Sequence, residues 1–244
     1  MTIHPVLIFG ATGGVGSALA KRLVAEGVAV HLAARNEAKL AALAAETGGA
    51  PHTVCDVLDA RALAAAVAAA GASGGLAGLA FCVGSIVLKP FKRATAADFR
   101  QAFELNALSA ALAVQAAEAS LRAGKGSVVF FSTIAAGSGF PNHTVIAAAK
   151  GAVEALTRSL AADLAPDVRV NCIAPSLTMT PLAQPLTANE SMAKAIAAMH
   201  PLPRLGQPAD LAATASFLLG QGADWITGQV IAVDGGRSRV RTKG

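Results

Sequence analysis

The strongest chemical signal in the chain is a glycine-rich loop near its start, from Gly10 to Gly16. A continuous apolar run, Val6–Phe9, precedes the loop, and a segment with helical periodicity, Ser17–Glu26, follows it. Glycines here allow a tight turn and let the backbone approach a phosphate, while the helix start offers free N–H donors and positive partial charge. An ordinary glycine turn is the alternative. We predict that the loop binds the pyrophosphate of a dinucleotide through Gly10, Thr12, Gly13, Gly14, Val15 and Gly16.

The residues after the second apolar run, Val28–Ala33, indicate which dinucleotide is bound. A site for NAD places Asp or Glu here to accept a hydrogen bond from the ribose 2′-hydroxyl. The chain has Arg35 and Asn36 here and no carboxylate, and an arginine can form two parallel hydrogen bonds to a 2′-phosphate. The alternative is a solvated arginine at a helix start. The sequence therefore predicts NADP(H) in preference to NAD(H), with Arg35 and Asn36 in the cofactor site.

The end of the third apolar run, Thr53–Cys55, adds a candidate for the adenine end of the cofactor. Asp56 follows this run directly and is placed to accept a hydrogen bond from the adenine amino group. The same carboxylate is also a candidate N-cap of the next helix, because Asp is strongly preferred at that position. Both interpretations can hold together. Val57 completes this part of the predicted cofactor site.

These residues require a scaffold in which short apolar strands alternate with helices. The predicted strands are Val6–Phe9, Val28–Ala33, Thr53–Cys55, Leu79–Val83, Ser127–Phe131, Val168–Ile173 and Val230–Val233. The predicted helices are Ser17–Glu26, Glu37–Glu46, Arg61–Ala70, Asp98–Arg122, Ile146–Leu164 and Asp210–Leu219. Such alternation predicts an α/β fold with a parallel sheet covered on both faces. We expect one Rossmann-type, doubly wound domain over residues 1–244, with the proline-rich segment Leu177–Pro203 as a lid.

Composition excludes several classes of protein. The chain is 54% hydrophobic and 14% charged, which argues against disorder. The net charge of +5 comes from scattered basic residues, and no nucleic-acid motif is present, so no nucleic-acid partner is expected. The basic residues cluster at the end of the chain in Arg237, Arg239, Arg241 and Lys243, which we expect to form a solvated terminus.

Membrane insertion and export are also not expected. The uncharged stretch Ala62–Leu88 is mostly alanine and glycine, and a Gly-Ala-Ser-Gly-Gly run breaks it in the middle. We therefore interpret it as a helix end followed by a buried strand. No signal peptide is visible, and the three cysteines form no CxxC pair. These features predict a cytoplasmic protein without a metal site.

Further motifs, together with the glycine loop, resemble the short-chain dehydrogenase/reductase family. They are Asp56-Val57, Asn106, Lys150, Arg169-Val170-Asn171 with Pro175, Pro203–Gly206, Ile226–Gln229 and Val233–Gly236. The resemblance spans nearly the whole chain. It implies a seven-stranded parallel sheet, a nicotinamide cofactor, and a homotetramer or dimer built on the two long central helices. It also places Val83, Gly84, Pro175, Leu177 and Thr178 beside the cofactor.

In that family an Asn, a Ser, a Tyr and a Lys carry out the reaction. The resemblance implies that Lys150 holds the nicotinamide ribose and lowers the pKa of the tyrosine. It implies that Asn106 organises a water chain within its helix, with a plain surface asparagine as the alternative. The family serine falls on Thr133, with Ser132 beside it. Either hydroxyl could hold a substrate carbonyl, or both could simply end the strand.

The departures from the family pattern concern the reaction itself. The tyrosine position, four residues before Lys150, is Ile146, and the chain contains no tyrosine. The family's Asn-Asn-Ala-Gly is here Phe81–Gly84, and its Pro-Gly is Pro175-Ser176. Hydride transfer to a carbonyl leaves an alkoxide that needs a proton, and isoleucine supplies none. Either His143, one helical turn before Ile146, or a water held by Asn106 and Lys150 would have to donate it.

Two functional hypotheses follow. The first is an NADP(H)-dependent oxidoreductase of the short-chain type, acting on a carbonyl or alcohol through an atypical active site. The second is a catalytically impaired NADP(H)-binding protein that serves as a redox sensor or a partner subunit. The predicted lid is mostly small and apolar, which suggests an apolar substrate that the sequence does not identify. Its larger side chains are Met179, Met192, Met199 and His200.

Overall fold

The fold is organised around a parallel sheet of seven strands in the order β3-β2-β1-β4-β5-β6-β7, in a computed structural model that describes residues 4–241. The strands are β1 (Val6–Phe9), β2 (Val30–Ala34), β3 (His52–Val54), β4 (Gly78–Phe81), β5 (Ser127–Phe131), β6 (Arg169–Pro175) and β7 (Val230–Val233). Every neighbouring pair is parallel. The predicted α/β fold with a seven-stranded sheet is therefore confirmed.

Helices cover both faces of the sheet. They are α1 (Gly14–Ala25), α2 (Glu37–Glu46), α3 (Ala60–Ala70), α4 (Ala96–Phe103), α5 (Ser109–Gly124), α6 (Ile134–Gly137), α7 (Thr144–Leu164), α8 (Gln184–Thr187), α9 (Glu190–Ala198) and α10 (Pro208–Leu219). One core cluster joins the sheet to α3, α5 and α7, and a second joins it to α1, α2 and α10. Because both faces are covered, all residues of β1, β2, β4 and β5 are buried, which explains their continuous apolar runs.

The sheet order creates a crevice at the carboxyl ends of β1 and β4. The chain builds the sheet outward from β1 in one direction through β2 and β3, then in the other direction from β4. Ligands of doubly wound folds bind at such a reversal, outside the carboxyl ends of the strands. The glycine loop follows β1, and Cys82 to Gly84 follow β4. The glycine loop and the Cys82–Gly84 segment therefore lie at this crevice.

The predicted helix over Asp98–Arg122 is helical throughout, but it is not one regular α-helix. The chain forms α4, then a π-helical turn over Glu104–Leu108, and then α5. Within that turn the Asn106 side chain donates a hydrogen bond to the Ala102 carbonyl, at 2.8 Å from Nδ2 to the oxygen. A side chain that takes a backbone carbonyl from the helical ladder permits such a bulge, and π bulges often mark functional sites.

The expectation of a solvated carboxyl terminus is wrong for Arg237. After β7, Gly235 and Gly236 both adopt positive φ, which turns the chain back over the carboxyl edge of the sheet. Arg237 consequently lies over the Phe140 ring, with its guanidinium carbon 4.9 Å from the ring centroid. Arg239 and Arg241 are exposed as expected, and Lys243 lies outside the described residues. Between residues 4 and 241 no helix has both the length and the apolar character needed to cross a bilayer.

Candidate active site

The glycine loop has the geometry of a backbone cradle. Gly10 adopts φ of +73°, and a β-carbon there would lie 3.0 Å from the Cys82 carbonyl. A β-carbon on Gly16 would lie 2.3 Å from the Gly10 oxygen, so only glycine fits. Gly13 caps α1 without a side-chain hydrogen bond, which leaves the first-turn N–H groups available. The loop therefore fits a pyrophosphate, because side chains would fill the space and backbone donors line it.

Three of the predicted adenosine-end residues, Arg35, Asn36 and Asp56, are exposed and have different local roles. Arg35 is exposed directly after β2, and Asn36 caps α2 by accepting a hydrogen bond from the Lys39 N–H at 2.9 Å. Asp56 is exposed and accepts from the Leu58 N–H at 3.1 Å. The N-cap interpretation of Asp56 is wrong, because Asp59 caps α3.

Val57 does not share the exposure of its neighbour Asp56. Its side chain is buried in the core cluster that joins the sheet to α3, α5 and α7. Packing of this valine fixes the position of the turn after β3, which carries the Asp56 carboxylate. Only its backbone remains available to a cofactor.

Asn106 is fully buried beside the end of β4, so the alternative of a plain surface asparagine is wrong. Its Oδ1 accepts from the Ser85 N–H at 3.2 Å, and its Nδ2 donates to the Ser85 hydroxyl at 3.0 Å. A β-carbon on Gly84 would lie 3.1 Å from Asn106 Oδ1 and 3.0 Å from Lys150 Nζ. Gly84 thus lets the asparagine and the lysine come close to one another.

Lys150 is a buried cation with one hydrogen-bond partner among the described residues. Its Nζ donates to the Phe131 carbonyl at 2.7 Å. Burial lowers the pKa of the ammonium group to about 8, an effect that Cys172 and Cys82 partly oppose. The lysine therefore keeps donor capacity for a ligand in the crevice at neutral pH.

The two hydroxyls after β5 have different environments. Ser132 is buried and donates to the Glu154 carboxylate at 2.7 Å between Oγ and Oε1, so its proton is already used. Thr133 caps α6 by accepting from the Ala135 N–H at 3.3 Å. The proton of the Thr133 hydroxyl has no acceptor within residues 4–241, which makes Thr133 the better equivalent of the family serine.

A cavity of about 900 Å³ opens beside these residues. Predicted site residues in its wall are Val15, Val83, Gly84, Ser132, Thr133, His143, Lys150, Pro175, Leu177 and Thr178. Ile146 also contributes to the wall, at the position of the family tyrosine. The structure thus brings the predicted nicotinamide-end residues together. Arg35, Asn36, Asp56 and Val57 lie outside this cavity.

His143 stands at the N-cap of α7, on the cavity wall. Its Nδ1 is 2.7 Å from the Pro141 carbonyl oxygen, which accepts a hydrogen from that nitrogen. The other ring nitrogen, Nε2, is therefore free for the cavity. His143 and Ile146 are one helical turn apart and share a face of the helix start.

The segment predicted as a lid, Leu177–Pro203, folds over the crevice. It contains α8 and α9 together with a short 3₁₀ turn, Pro181–Ala183. The Thr180 side chain lies directly above the glycine loop, since a β-carbon on Gly14 would be 2.8 Å from Thr180 Cγ2. The lid and the loop therefore enclose the same space.

Sequence reasoning missed a polar group that includes two residues of the cavity wall, Ser176 and Arg237. His200 is buried, and its Nε2 lies 2.8 Å from the Ser176 hydroxyl oxygen. Arg237 donates to the same hydroxyl from Nη1 at 3.3 Å. Two sequence signals were present, namely the serine that replaces the family glycine after Pro175 and the Gly-Gly turn before Arg237.

Comparisons with known proteins agree with this geometry. The family model described as enoyl-(acyl carrier protein) reductase matches residues 10–238. L-fucose dehydrogenase from Oryctolagus cuniculus is 36% identical over 244 residues, covering 95% of this chain and 84% of the relative. The chain belongs to the short-chain dehydrogenase/reductase family.

Solved structures lead to the same class. A short-chain type dehydrogenase/reductase from Mycobacterium ulcerans superposes with a TM-score of 0.91 at 32% identity, covering 98% of this chain and 90% of that one. Actinorhodin polyketide ketoreductase, solved with NADPH, superposes with a TM-score of 0.89 at 25% identity over 98% of this chain and 99% of that one. The cavity beside Lys150 is thus the candidate active site of an oxidoreductase fold.

The buried ammonium of Lys150 predicts a distinctive dependence of stability on pH. Because its pKa is lower in the folded than in the unfolded state, the unfolded chain binds more protons between about pH 8 and about pH 10.5. Stability contributed by this site therefore rises with pH across that window. Between about pH 7.5 and about pH 10, we expect the wild type to gain about 2 kcal/mol relative to Lys150→Met. Urea unfolding at both pH values measures the difference.

The exposed Lys39 provides the control for this measurement. The stability difference between the wild type and Lys39→Met should stay constant over the same pH range. A difference between the wild type and Lys150→Met that is equally constant would show that Lys150 is not desolvated in the folded protein.

Proposed function

We propose that the chain is an NADP(H)-dependent oxidoreductase that interconverts a carbonyl and an alcohol through an atypical active site. The observation that carries this proposal is the meeting of Thr133, Lys150 and Asn106 beside one crevice, with Ile146 in place of the family tyrosine. The bound cofactor supplies or accepts a hydride. Thr133 would hold the substrate oxygen, and Lys150 would hold the nicotinamide ribose.

The preference for NADP(H) rests on charge at the end of β2. Arg35 is exposed there, and the following Asn36 uses its side chain to cap α2. The guanidinium of Arg35 would be available to bind a 2′-phosphate at this position. A ribose 2′-hydroxyl would have no carboxylate acceptor among the residues that end the strand. The ketoreductase neighbour solved with NADPH supports the same assignment.

His143 is the best-placed group to supply the proton that Ile146 cannot. Its Nδ1 is anchored to the Pro141 carbonyl, and its Nε2 is left for the cavity. In the protonated imidazole both nitrogens carry hydrogen, so Nε2–H would donate to the developing alkoxide. A water molecule held between Asn106 and Lys150 is the alternative donor.

One observation favours the second candidate, a catalytically impaired NADP(H)-binding protein. Ile146 occupies the position of the family tyrosine on the cavity wall and has no proton to donate. In this candidate Lys150 would serve cofactor binding alone. Both candidates bind NADP(H), and only the oxidoreductase turns over a carbonyl compound.

The remaining features of the proposal concern the substrate and the setting of the protein. The cavity wall is mainly apolar, with Leu182, Leu186, Met192 and Ile196 from the lid. This favours a small-molecule substrate with an apolar body. We further propose a homotetramer or dimer in the cytoplasm, built on the long helices α5 and α7.

The cofactor preference can be tested at Arg35. We expect Arg35→Glu to weaken NADPH binding by at least about tenfold, because a carboxylate replaces the partner of the 2′-phosphate. NADH binding should weaken less or improve. Fluorescence titrations with NADPH and NADH give both dissociation constants. Arg158→Glu, at an exposed arginine on α7, makes the same change of charge and should alter neither constant. Equal or tighter binding of NADH by the wild type would contradict the assignment.

The atypical mechanism can be tested by restoring a phenol at position 146. Ile146→Tyr is expected to increase NADPH-dependent reduction of cyclohexanone or acetophenone by about 10²–10⁴-fold over Ile146→Phe, because the two variants differ only in the acidic hydroxyl. NADPH oxidation is followed by absorbance. His143→Gln should lower the turnover of the wild type by a similar factor.

The outcomes of this experiment separate the two candidate functions. If the wild type reduces the carbonyl compound and His143→Gln does not, the result supports an oxidoreductase in which His143 is the acid. Turnover unaffected by His143→Gln rules out that role for His143. A wild type that binds NADPH and reduces no carbonyl, while Ile146→Tyr does, supports the binding protein.

A further inference from the structure

The cavity wall has an uneven distribution of charge. Its side chains are mostly apolar, and no Asp or Glu occurs among the described residues that line it. Apart from His143, its basic side chains are Lys150, Arg237 and Arg241. The proposed function assigns Lys150 to the nicotinamide ribose, and it gives neither arginine a role. Two arginines of the cavity wall are therefore left without a role in the proposed reaction.

Arg237 is a partly buried guanidinium with weak partners. Its Nη1 donates to the neutral Ser176 hydroxyl at 3.3 Å, and its Nη2 donates to the Met199 thioether at 3.4 Å. Burial lowers its pKa, and the nearby Asp234 partly opposes that shift. A guanidinium carries five N–H donors in a fork that matches a carboxylate. Arg237 thus faces the cavity with strong donors that its protein partners leave largely unused.

The nearest carboxylate does not neutralise this arginine by a direct ion pair. Asp234 uses its oxygens to accept from the Gly236 N–H at 2.9 Å and the Ser238 N–H at 2.8 Å. No ion pair to Arg237 occurs among the described residues. The carboxylate therefore shapes the turn that carries Arg237, and the guanidinium remains available to a ligand.

A chain of hydrogen bonds fixes the position of Arg237. His200 Nδ1 lies 2.9 Å from the Ile196 carbonyl and donates to it, so Nε2 accepts from the Ser176 hydroxyl. The serine oxygen is then oriented to accept from Arg237. The guanidinium also lies over the Phe140 ring, with its central carbon 4.9 Å from the ring centroid. These contacts restrict the arginine before a ligand binds, so less side-chain entropy remains to be lost on binding.

We propose that Arg237 anchors the carboxylate of an apolar, carbonyl-containing substrate in this cavity. The inference rests on the proposed function and names its substrate class, an oxo acid whose hydrocarbon body packs on the apolar wall. Arg241 stands at the same wall and is exposed, so it adds long-range attraction for the anion. The Arg237 guanidinium would donate two hydrogen bonds to the carboxylate oxygens.

Binding of simple probes tests this assignment without requiring turnover. Octanoate and octanamide have the same hydrocarbon body and differ in charge, and calorimetric titration gives the dissociation constant of each. We expect octanoate to bind the wild type at least about tenfold more tightly than octanamide. Arg237→Gln should remove that preference, and Arg237→Lys should restore only part of it, because an ammonium lacks the planar fork. Arg239→Gln, an exposed neighbour outside the cavity wall, should retain the full preference.

The other outcomes each overturn the proposal or a part of it. Equal affinity of the wild type for octanoate and octanamide would overturn it, even if Arg237→Gln failed to fold. A preference that persists in Arg237→Gln would assign the anion to another residue. Octyl phosphate binding more tightly than octanoate would replace the carboxylate by a phosphate ester. NADPH binding, measured separately by fluorescence titration, reports on the cofactor site. A wild type that does not bind NADPH would count against the proposed function, and the octanoate result could still be interpreted.

Discussion

The contact between Gly16 and the Gly10 carbonyl is the constraint on which the rest of the site depends. It lets α1 begin at Gly14, immediately beyond β1, and directs the N–H groups of its first turn into the crevice. A methyl group at Gly16 would overlap the Gly10 oxygen and push the helix away from the sheet. After β4, a β-carbon on Gly84 would lie 3.0 Å from Lys150 Nζ and 3.1 Å from Asn106 Oδ1, so glycine leaves room for both side chains.

The buried lysine gives this crevice its electrostatic character. Lys150 occupies a desolvated position with one protein acceptor, and burial lowers its pKa. Such an arrangement costs stability in the free protein and leaves donors for a ligand. Arg237 repeats the pattern on the wall of the same cavity, where its partners are a hydroxyl and a thioether. Each cation therefore keeps hydrogen-bond donors that the protein does not use and that a bound anion or hydroxyl group would use.

Most of the fold was accessible from the sequence, because buried parallel strands and their helices have distinct periodicities. The failures have separate physical causes. The π turn around Asn106 arises from a side-chain hydrogen bond to the Ala102 carbonyl, which helical periodicity does not encode. The fold-back of Arg237 follows from the turn at Gly235 and Gly236, and the Phe140 ring that its guanidinium contacts is distant in sequence. Asp56 and Asp59 are both suitable N-cap residues for α3. The structure shows that the helix begins after Asp59, which the residue types alone do not decide.

The most direct measurement is the affinity for NADPH of the wild type, Gly16→Ala and Gly137→Ala, determined by fluorescence titration. A β-carbon on Gly137 meets no atom within 4 Å, so this variant controls for the added methyl group. We predict that the wild type and Gly137→Ala bind NADPH equally well and that Gly16→Ala binds at least about tenfold more weakly. A wild type that does not bind NADPH, or a Gly16→Ala protein that binds it undiminished, would contradict the account.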